Sequence, residues 1–426
     1  MLQRFVTDNR DADVAQLALH RNRYPMLSDS DFRFGLQQIE GRQRTREKLP
    51  TFATIDGWLY PPRLNLEQCS SERTARFKAS VLSNFKFQVS NFTLIDATGG
   101  YGVDTFFMSE MAAETHYYEQ NVDLAAIAEH NFRLAGKSIV CHAEAFNVDV
   151  LSNLVGGKTE ENREKVQPLS GVLYLDPARR DSHGGKVFRL EDCTPNVVEI
   201  VRYVQRNCTN LRVLLKLSPM LDYHQAMRQL GGTWDVYVVS VNGEVKELLL
   251  SSEGTGMVNA VALIDSADRV FSFTPEEEST AEVQYVPATI LSSLSGQPCE
   301  EGTEGLYLYE PDAAILKAGA FRLVSARYGL LKAAPNTHLY FANTDRSVNS
   351  QNSLSELPGR RWKILGAYTR VKDVQRVCAR ASVLTRNYVL PADALHKQLR
   401  LKDGGDEYII GCRIADKPLL LHCRRV

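Results

Sequence analysis

The chain lacks cysteine pairs, long apolar runs and a leader pattern. Its eight cysteines stand at positions 69, 141, 193, 208, 299, 378, 412 and 423, and no two of them form a CxxC pair. This scatter excludes a zinc site of the usual spacing and predicts reduced thiols in a cytoplasmic protein. No stretch approaches the roughly 18 apolar residues of a membrane span. The opening residues turn acidic too early for a signal peptide. We therefore expect no membrane partner, and the cysteine spacing leads us to expect no metal.

Net charge is also small, at −1, but it is unevenly spread. Residues 345–426 hold 16 Lys and Arg against 8 Asp and Glu, a net of +8. Residues 266–344 hold 5 against 10, a net of −5. A basic segment attached to a mildly acidic body favours a polyanionic partner.

A length of 426 residues predicts more than one domain. Residues 1–75 show irregular helical patterns, and residues 76–265 alternate strands with helices. Residues 266–344 have the pattern of a small, ferredoxin-like α+β module, and residues 345–426 that of a basic α+β module. We therefore predict four segments, of which the second is the catalytic or binding core.

The alternation within residues 76–265 predicts an α/β fold with a Rossmann-like parallel sheet covered by helices on both faces. Asn242-Gly243 lies between two β-rich runs and predicts an antiparallel hairpin at the end of that sheet. The fold class is thus α/β, with a helical N-terminal region and small α+β modules at the C-terminus.

A glycine-rich stretch, DATGGYGVDTFF, follows the first apolar run of this domain and begins at Asp96. Gly99, Gly100 and Gly102 remove side chains from a tight turn, so that the backbone can approach a ligand closely. A dinucleotide fingerprint needs a third glycine, and the matching position is Thr105. The stretch therefore argues against NAD and for another nucleotide-type cofactor.

Acidic residues at the ends of the first strands indicate which of these cofactors the chain binds. Asp96 would repel a pyrophosphate, whereas S-adenosylmethionine carries an ammonium, a sulfonium and a ribose diol. Glu119 ends the second predicted strand and is placed to accept from both ribose hydroxyls. Glu144 follows the third strand and is placed to accept from the adenine amino group.

The fourth strand, GVLYL, leads into Asp176 and Pro177 at the same edge of the sheet. A carboxylate there can fix the N–H of an amine acceptor and aim its lone pair, which is catalysis by positioning. Arg179 can stack on a base or clamp a phosphate. Lys216 ends the fifth strand and is placed to face the same crevice, but a lysine there more often snorkels than catalyses, so we do not include it among the predicted site residues.

The sequence resembles class I S-adenosylmethionine-dependent methyltransferases over residues 76–265. LIDATGGYGVD, YYEQN, LYLDPARR and the basic C-terminal segment resemble bacterial methyltransferases that carry a THUMP-like domain. The glycine turn is similar to the D-x-T-x-G-x-G-x-D pattern of ribosomal RNA guanine-N2 methyltransferases, which ends here at Asp104. The resemblance implies cofactor contacts from Asp96, Gly99, Gly100, Gly102, Asp104 and Glu119, with catalysis at Asp176-Pro177. One departure is Ala178-Arg179, where such enzymes usually have a second proline and an aromatic residue.

The basic C-terminal module interleaves cations with aromatic residues, as in Arg361, Trp362 and Lys363 and again at Tyr368 and Arg370. This pattern suits phosphate neutralisation and base stacking, and we interpret the module as the part of the chain that binds tRNA or rRNA. The sequence thus predicts methylation of an RNA base nitrogen. Two alternatives stay open: a protein methyltransferase with an acidic or ribosome-associated partner, and a non-catalytic RNA-binding factor with a vestigial pocket.

Overall fold

The chain divides into two units in a computed structural model. The first comprises residues 1–234 and 248–254, and the second comprises residues 235–247 and 255–426. None of the helices in the described part of the chain is both long and apolar enough to cross a membrane. The structure describes residues 1–83, 85, 91–156, 169–178, 190–265, 267–287, 306–342, 354, 356–415 and 417–426.

The first unit opens with the predicted helical region. Ser71 accepts a hydrogen bond from the Thr74 N–H and so caps the last of these helices. Ser28 caps the longest of them in the same way. The helices are α1 (Leu2–Asp8), α2 (Val14–Leu19), α3 (Asp29–Thr45), α4 (Pro50–Thr54), α5 (Arg63–Gln68) and α6 (Glu72–Leu82), with a 3₁₀ turn at Arg21–Arg23.

A parallel sheet follows, which confirms the predicted α/β class. Its order is β3-β2-β1-β4-β5, and residues 248–251 pair with β5 in the antiparallel sense. The strands are β1 (Thr93–Asp96), β2 (Glu114–Tyr118), β3 (Val140–His142), β4 (Gly171–Leu175) and β5 (Leu211–Leu217). The helices are α7 (Val103–Met108), α8 (Val122–Leu134), α9 (Val148–Gly156), α10 (Val197–Asn207) and α11 (Tyr223–Leu230), with 3₁₀ turns at Ser109–Met111 and Leu190–Asp192.

Aromatic packing joins the N-terminal helices to the glycine turn. The Trp58 indole N–H donates to the Tyr101 hydroxyl at 2.7 Å, and that hydroxyl donates to the Leu59 carbonyl at 3.0 Å. Phe52 stacks on Trp58 with ring centroids 4.2 Å apart. Because Tyr101 lies within the turn, the helical region supports the turn from behind.

The second unit begins with strands of mixed direction. Asn242 and Gly243 both adopt positive φ, 50° and 83°, and so form the turn that the sequence predicts. β6 pairs with β8 in parallel, and β8 pairs with β9 antiparallel. The strands are β6 (Trp234–Val241), β7 (Glu244–Ser252), β8 (Val258–Leu263) and β9 (Arg269–Phe273).

A seven-stranded sheet fills the rest of this unit, in the order β11-β12-β10-β13-β16-β15-β14. Strands of residues 306–342 and of residues 359–425 pair directly, through β10 and β13. The strands are β10 (Tyr307–Pro311), β11 (Leu331–Ala334), β12 (Thr337–Ala342), β13 (Gly359–Tyr368), β14 (Ser382–Arg386), β15 (Glu407–Ile414) and β16 (Lys417–Arg425). The helices are α12 (Pro275–Thr280), α13 (Ala313–Ala318), α14 (Leu323–Tyr328), α15 (Val371–Val377) and α16 (Ala392–Leu399).

Two short helices, α13 and α14, lie within residues 306–342. Gly319 adopts φ +86° and ends α13, because only glycine enters this conformation without a steric penalty. The four-segment division of the chain stays a prediction.

Gly102 offers a test of the packing behind the glycine turn. A Cβ there would lie 2.5 Å from Phe132 Cζ, and φ is +81°. We expect Gly102→Ala to lower the free energy of unfolding by about 2–4 kcal/mol, from backbone strain and overpacking together. Gly136→Ala is the matched control, because its φ is +69° but no atom lies within 4 Å of the added Cβ. Urea denaturation of both variants measures the difference, and equal losses would contradict this packing.

Candidate active site

The glycine turn is closed by its own backbone and by β2. The Gly99 N–H donates to the Tyr118 carbonyl at 2.8 Å, and the Gly102 N–H donates to the Gly99 carbonyl at 2.8 Å. A Cβ on Gly99 would lie 2.0 Å from the Tyr117 ring. The Tyr117 hydroxyl donates to the Gly100 carbonyl at 2.6 Å. The first glycine is therefore required by packing, and the turn is rigid before any ligand arrives.

Asp96 lies beneath this turn and is only 1% exposed. Its carboxylate accepts from the Thr98 N–H at 3.0 Å and from the Thr105 hydroxyl at 2.5 Å. Burial raises the pKa of Asp96 to about 7, and the nearby Asp104 and Asp176 carboxylates act in the same direction. In this structure Asp96 holds the turn together, and its predicted contact with a cofactor stays a prediction.

Glu119 connects the glycine turn to the end of β2. One carboxylate oxygen accepts from the Gly100 N–H at 2.9 Å, and the other accepts from the Asn121 N–H at 2.7 Å. Asn121 in turn caps α8. A carboxylate offers about four acceptor positions, so the half-buried Glu119 keeps capacity for hydroxyl donors.

Glu144 lies apart from these residues, in the exposed segment after β3. Its carboxylate is 3.9 Å from the His142 Nδ1, and the His142 ring stacks on Tyr118 with centroids 4.2 Å apart. Within the described residues, no hydrogen bond or ion pair joins Glu144 to the other predicted site residues. Its role at an adenine stays a prediction.

Asp176 stands at the end of β4, where the sequence places it. Its N–H donates to the Thr98 hydroxyl at 2.6 Å, which ties the Asp176-Pro177 turn to the glycine turn. Its carboxylate is 2.6 Å from the Lys216 ammonium, and its side chain remains 37% exposed. Arg179, the third predicted catalytic residue, lies outside the described residues.

Sequence reasoning leaves Lys216 out of the site, whereas the structure places its Nζ against Asp176. Ser70 is likewise absent from the predicted site, although its hydroxyl accepts from Lys216 at 3.2 Å. The signal for Lys216 was its place at the carboxyl end of a central strand. The sequence does not predict that Asp176 is its partner, because the two residues are 40 positions apart in the chain.

Asp104 points inward from α7. It accepts from the Ser70 hydroxyl at 2.8 Å and from the Tyr174 hydroxyl at 2.7 Å, and it lies 3.2 Å from the fully buried Lys78 Nζ. Burial works to raise the pKa of Asp104, but the charges of Lys78 and Lys216 outweigh it, and the pKa is lowered. The predicted contact of Asp104 with a cofactor stays a prediction, and what the structure shows is a buried ion pair.

Two of the aromatic residues that the sequence interleaves with cations, Trp362 and Tyr368, are buried and are not available for base stacking. Trp362 is 1% exposed and Tyr368 is 8% exposed, and both belong to hydrophobic clusters of the second unit. Cations remain at the surface beside them: Arg360, Arg361 and Arg425 line a polar pocket of about 230 Å³.

Three candidate metal ligands also lie in this module, within 4.8 Å of one another: Cys378, Glu407 and His422. Glu407 already accepts from the His422 Nε2 at 2.8 Å and from the Arg424 guanidinium at 3.1 Å. Burial raises the pKa of the Cys378 thiol, which disfavours the thiolate that a metal needs. Ion pairing therefore accounts for this cluster.

Two protein families match parts of the C-terminal half of the chain. Residues 307–347 match a family described as a ferredoxin-like domain, and residues 359–425 match a family described as THUMP domain-like. Two uncharacterized S-adenosylmethionine-dependent methyltransferases of Mycobacterium tuberculosis, from strains CDC 1551 and H37Rv, are each 24% identical over 366 residues, covering 84% of this chain and 86% of the relative.

A solved structure is similar over the whole chain. It is a crystal structure of a Porphyromonas gingivalis W83 protein that is provisionally named a methyltransferase. The identity is 28% and the TM-score 0.78, and the match covers 100% of this chain and 97% of that chain.

The parallel α/β sheet, the glycine turn after its first strand and the acids at the following strand ends match the class I methyltransferase fold of the similar structure. The chain is a class I S-adenosylmethionine-dependent methyltransferase, which confirms the class and the cofactor predicted from the sequence. Its C-terminal part, residues 359–425, is a THUMP-like domain.

The raised pKa of Asp96 predicts a pH dependence of stability. The folded state holds a proton up to about pH 7 that the unfolded chain releases near the ordinary value of 3.8. Stability therefore falls as pH rises through this window, by on the order of 4 kcal/mol. In Asp96→Asn the amide oxygen still accepts from the Thr98 N–H, and the amide nitrogen donates to the Thr105 hydroxyl. We expect this variant to lose less stability than wild type between pH 5 and pH 8 in urea titrations. Asp123→Asn, an exposed acid, is the control, and parallel curves for all three proteins would contradict the assignment.

Proposed function

We propose that this methyltransferase modifies RNA, at a nitrogen of a base. The observation that carries the proposal is the hydrogen bond between Asp176 and Thr98, which fixes the Asp176-Pro177 turn beside the glycine turn. An acceptor group held at Asp176 is then next to whatever the glycine turn binds.

The residues at the turn fit the cofactor of the class. S-adenosylmethionine supplies an electrophilic methyl group when bound. Glu119 would hold the ribose hydroxyls with the acceptor positions that Gly100 and Asn121 leave open. Gly99 and Gly100 would admit the cofactor closely, because neither carries a Cβ. Asp96, Gly102 and Asp104 would act from beneath, by fixing the shape of the turn.

Asp176 and Pro177 would act on the acceptor. The partly exposed carboxylate of Asp176 would accept the N–H of the target base and orient its lone pair. Pro177 restricts the backbone that carries the neighbouring carbonyl. Arg179 would clamp the base or a phosphate, as the sequence suggests. Positioning of this kind provides much of the rate, because methyl transfer needs close alignment rather than a strong base.

The THUMP-like domain supports RNA as the substrate. Residues 345–426 carry a net charge of +8, and their exposed arginines include Arg360 and Arg425. Because phosphate neutralisation is the main source of nonspecific RNA affinity, such a surface suits tRNA or rRNA. Because Trp362 is buried, we propose that this domain contacts the phosphate backbone of the RNA rather than stacking Trp362 on its bases.

Glu119 provides the test of cofactor binding. We expect Glu119→Ala to weaken binding of S-adenosylhomocysteine by about 1.5–3 kcal/mol, the range for hydrogen bonds to a charged group. Isothermal titration calorimetry measures it. Glu129→Ala is the control, because that exposed acid pairs only with Arg133 on the outer face of α8 among the described residues. Unchanged affinity in Glu119→Ala would remove Glu119 from the site.

Asp176 provides the test of acceptor chemistry. We expect wild-type protein to transfer tritiated methyl groups to total RNA from a strain lacking this gene, in a product that ribonuclease destroys and protease does not. Asp176→Asn should slow single-turnover transfer by about 10²-fold, because the amide presents a donor where an acceptor is needed. S-adenosylhomocysteine affinity should change little.

Two results would contradict this reading. Label that survives ribonuclease but not protease would favour a protein substrate. Transfer at the wild-type rate in Asp176→Asn would show that the turn is only structural. Nucleoside mass spectrometry of the labelled RNA then identifies the modified atom.

A further inference from the structure

Lys216 is the sixth residue of β5, and its ammonium reaches the end of the neighbouring strand. Its Nζ lies 2.6 Å from the Asp176 Oδ2. The side chain of Lys216 is 13% exposed and that of Asp176 is 37% exposed. The cation is therefore mostly inside the protein, whereas the carboxylate reaches the surface where a substrate can approach.

A second contact fixes the direction of the ammonium. The Ser70 hydroxyl accepts from Lys216 at 3.2 Å, and the same hydroxyl donates to Asp104 at 2.8 Å. Ser70 is itself buried, at 7% exposure. Because the hydroxyl hydrogen of Ser70 is directed at Asp104, its lone pair is left to accept from Lys216, which keeps the ammonium aligned with Asp176.

Charges of opposite sign alternate along this network. The buried Lys78 lies 3.2 Å from Asp104, Ser70 connects Asp104 to Lys216, and Lys216 contacts Asp176. The two cations and two carboxylates balance, so none of the four is an uncompensated buried charge. Asp176 is the outer end of the network and the member most accessible to a ligand.

The geometry points to a role that the sequence did not suggest: we propose that Lys216 is a positioning residue for methyl transfer, which holds one oxygen of Asp176 and leaves the other to the N–H of the acceptor. The proposal rests on the proposed function. A carboxylate at the surface samples several rotamers, and one that is held by a buried cation has lost that freedom before the substrate binds. The gain appears in the rate of transfer, since the orientation of the acceptor sets the rate.

A lysine that merely stabilised the fold would behave differently. Its removal would lower the stability of the fold, and any change in substrate affinity or turnover would not depend on whether the Asp176 carboxylate is present. A positioning lysine acts through Asp176, so its removal should matter little once the Asp176 carboxylate is already gone. Double-mutant cycles measure such coupling directly.

The experiment compares Lys216→Met, Lys216→Arg, Asp176→Asn and the double variant Lys216→Met/Asp176→Asn. The probe is total RNA from a strain lacking this gene, with tritiated S-adenosylmethionine. We expect Lys216→Met to slow transfer by about 10²-fold, while the KM for RNA and the affinity for S-adenosylhomocysteine change less than about threefold. Lys216→Arg should recover most of the rate, and the double variant should be no slower than Asp176→Asn alone.

Lys137→Met is the matched control. Lys137 is 19% exposed, pairs with Glu110 at 2.7 Å and lies 4.5 Å from the centroid of the Phe106 ring, and neither contact involves a residue of the proposed site. It should leave the rate unchanged. If Lys216→Met transfers methyl groups as fast as Lys137→Met, or if the two site mutations multiply in their effects, the proposal is overturned.

Crystal structures of Lys216→Met and Lys216→Arg provide a readout that needs no activity. We expect the Asp176 side chain to leave its position in the first variant and to keep it in the second. An unmoved carboxylate in Lys216→Met overturns the proposal whatever the substrate is. If wild-type protein labels protein instead of RNA, the proposed function fails, and the same comparison of rates with that acceptor still decides the role of Lys216.

Discussion

The hydrogen bond from the Asp176 N–H to the Thr98 hydroxyl is the contact on which the rest of the site depends. Thr98 is itself held by Asp96, whose buried carboxylate accepts the Thr98 N–H. A buried acid thus orients a threonine, and the threonine orients the second turn. The glycine turn and the Asp176-Pro177 turn are therefore one rigid body, although 78 residues separate the bonded positions. Group transfer benefits from this rigidity, because errors of about 1 Å in the placement of reacting groups cost rate.

The ionic network beneath the site explains why the helical N-terminal region belongs to the methyltransferase core. Ser70 lies in that region and Lys78 lies in α6, the helix that continues from it, and both contact Asp104 of α7. Burying charges is expensive unless they are paired and hydrogen-bonded, and Asp104 meets this condition through Lys78, Ser70 and Tyr174. The hydrogen bond from the Trp58 indole N–H to the Tyr101 hydroxyl adds a second attachment. The N-terminal helices thus support the catalytic edge from two directions.

The C-terminal module shows how one pattern can be interpreted in two ways. Cations that alternate with aromatic residues suggest an RNA-stacking surface, but alternation with period two is also the pattern of a strand with one buried face. β13 follows the second rule, since Trp362 points into the core and the flanking Arg361 and Lys363 are more exposed. The proposed RNA contacts therefore depend on charge, and the buried Trp362 and Tyr368 supply stability.

The sequence by itself determined the features that local rules control. Alternating strands and helices, the glycine turn and the acids at the ends of β1, β2 and β4 follow from residue periodicity and from backbone sterics. Those rules act over a few residues, so they predicted the class and placed Glu119 and Asp176 at one edge of the sheet. Only the tertiary structure decided which side chains meet there. Lys216 contacts Asp176 because β5 lies beside β4, and it contacts Ser70 across 146 residues of chain. Pairings of that kind depend on strand order and on the docking of the N-terminal helices, and neither leaves a periodic trace in the sequence.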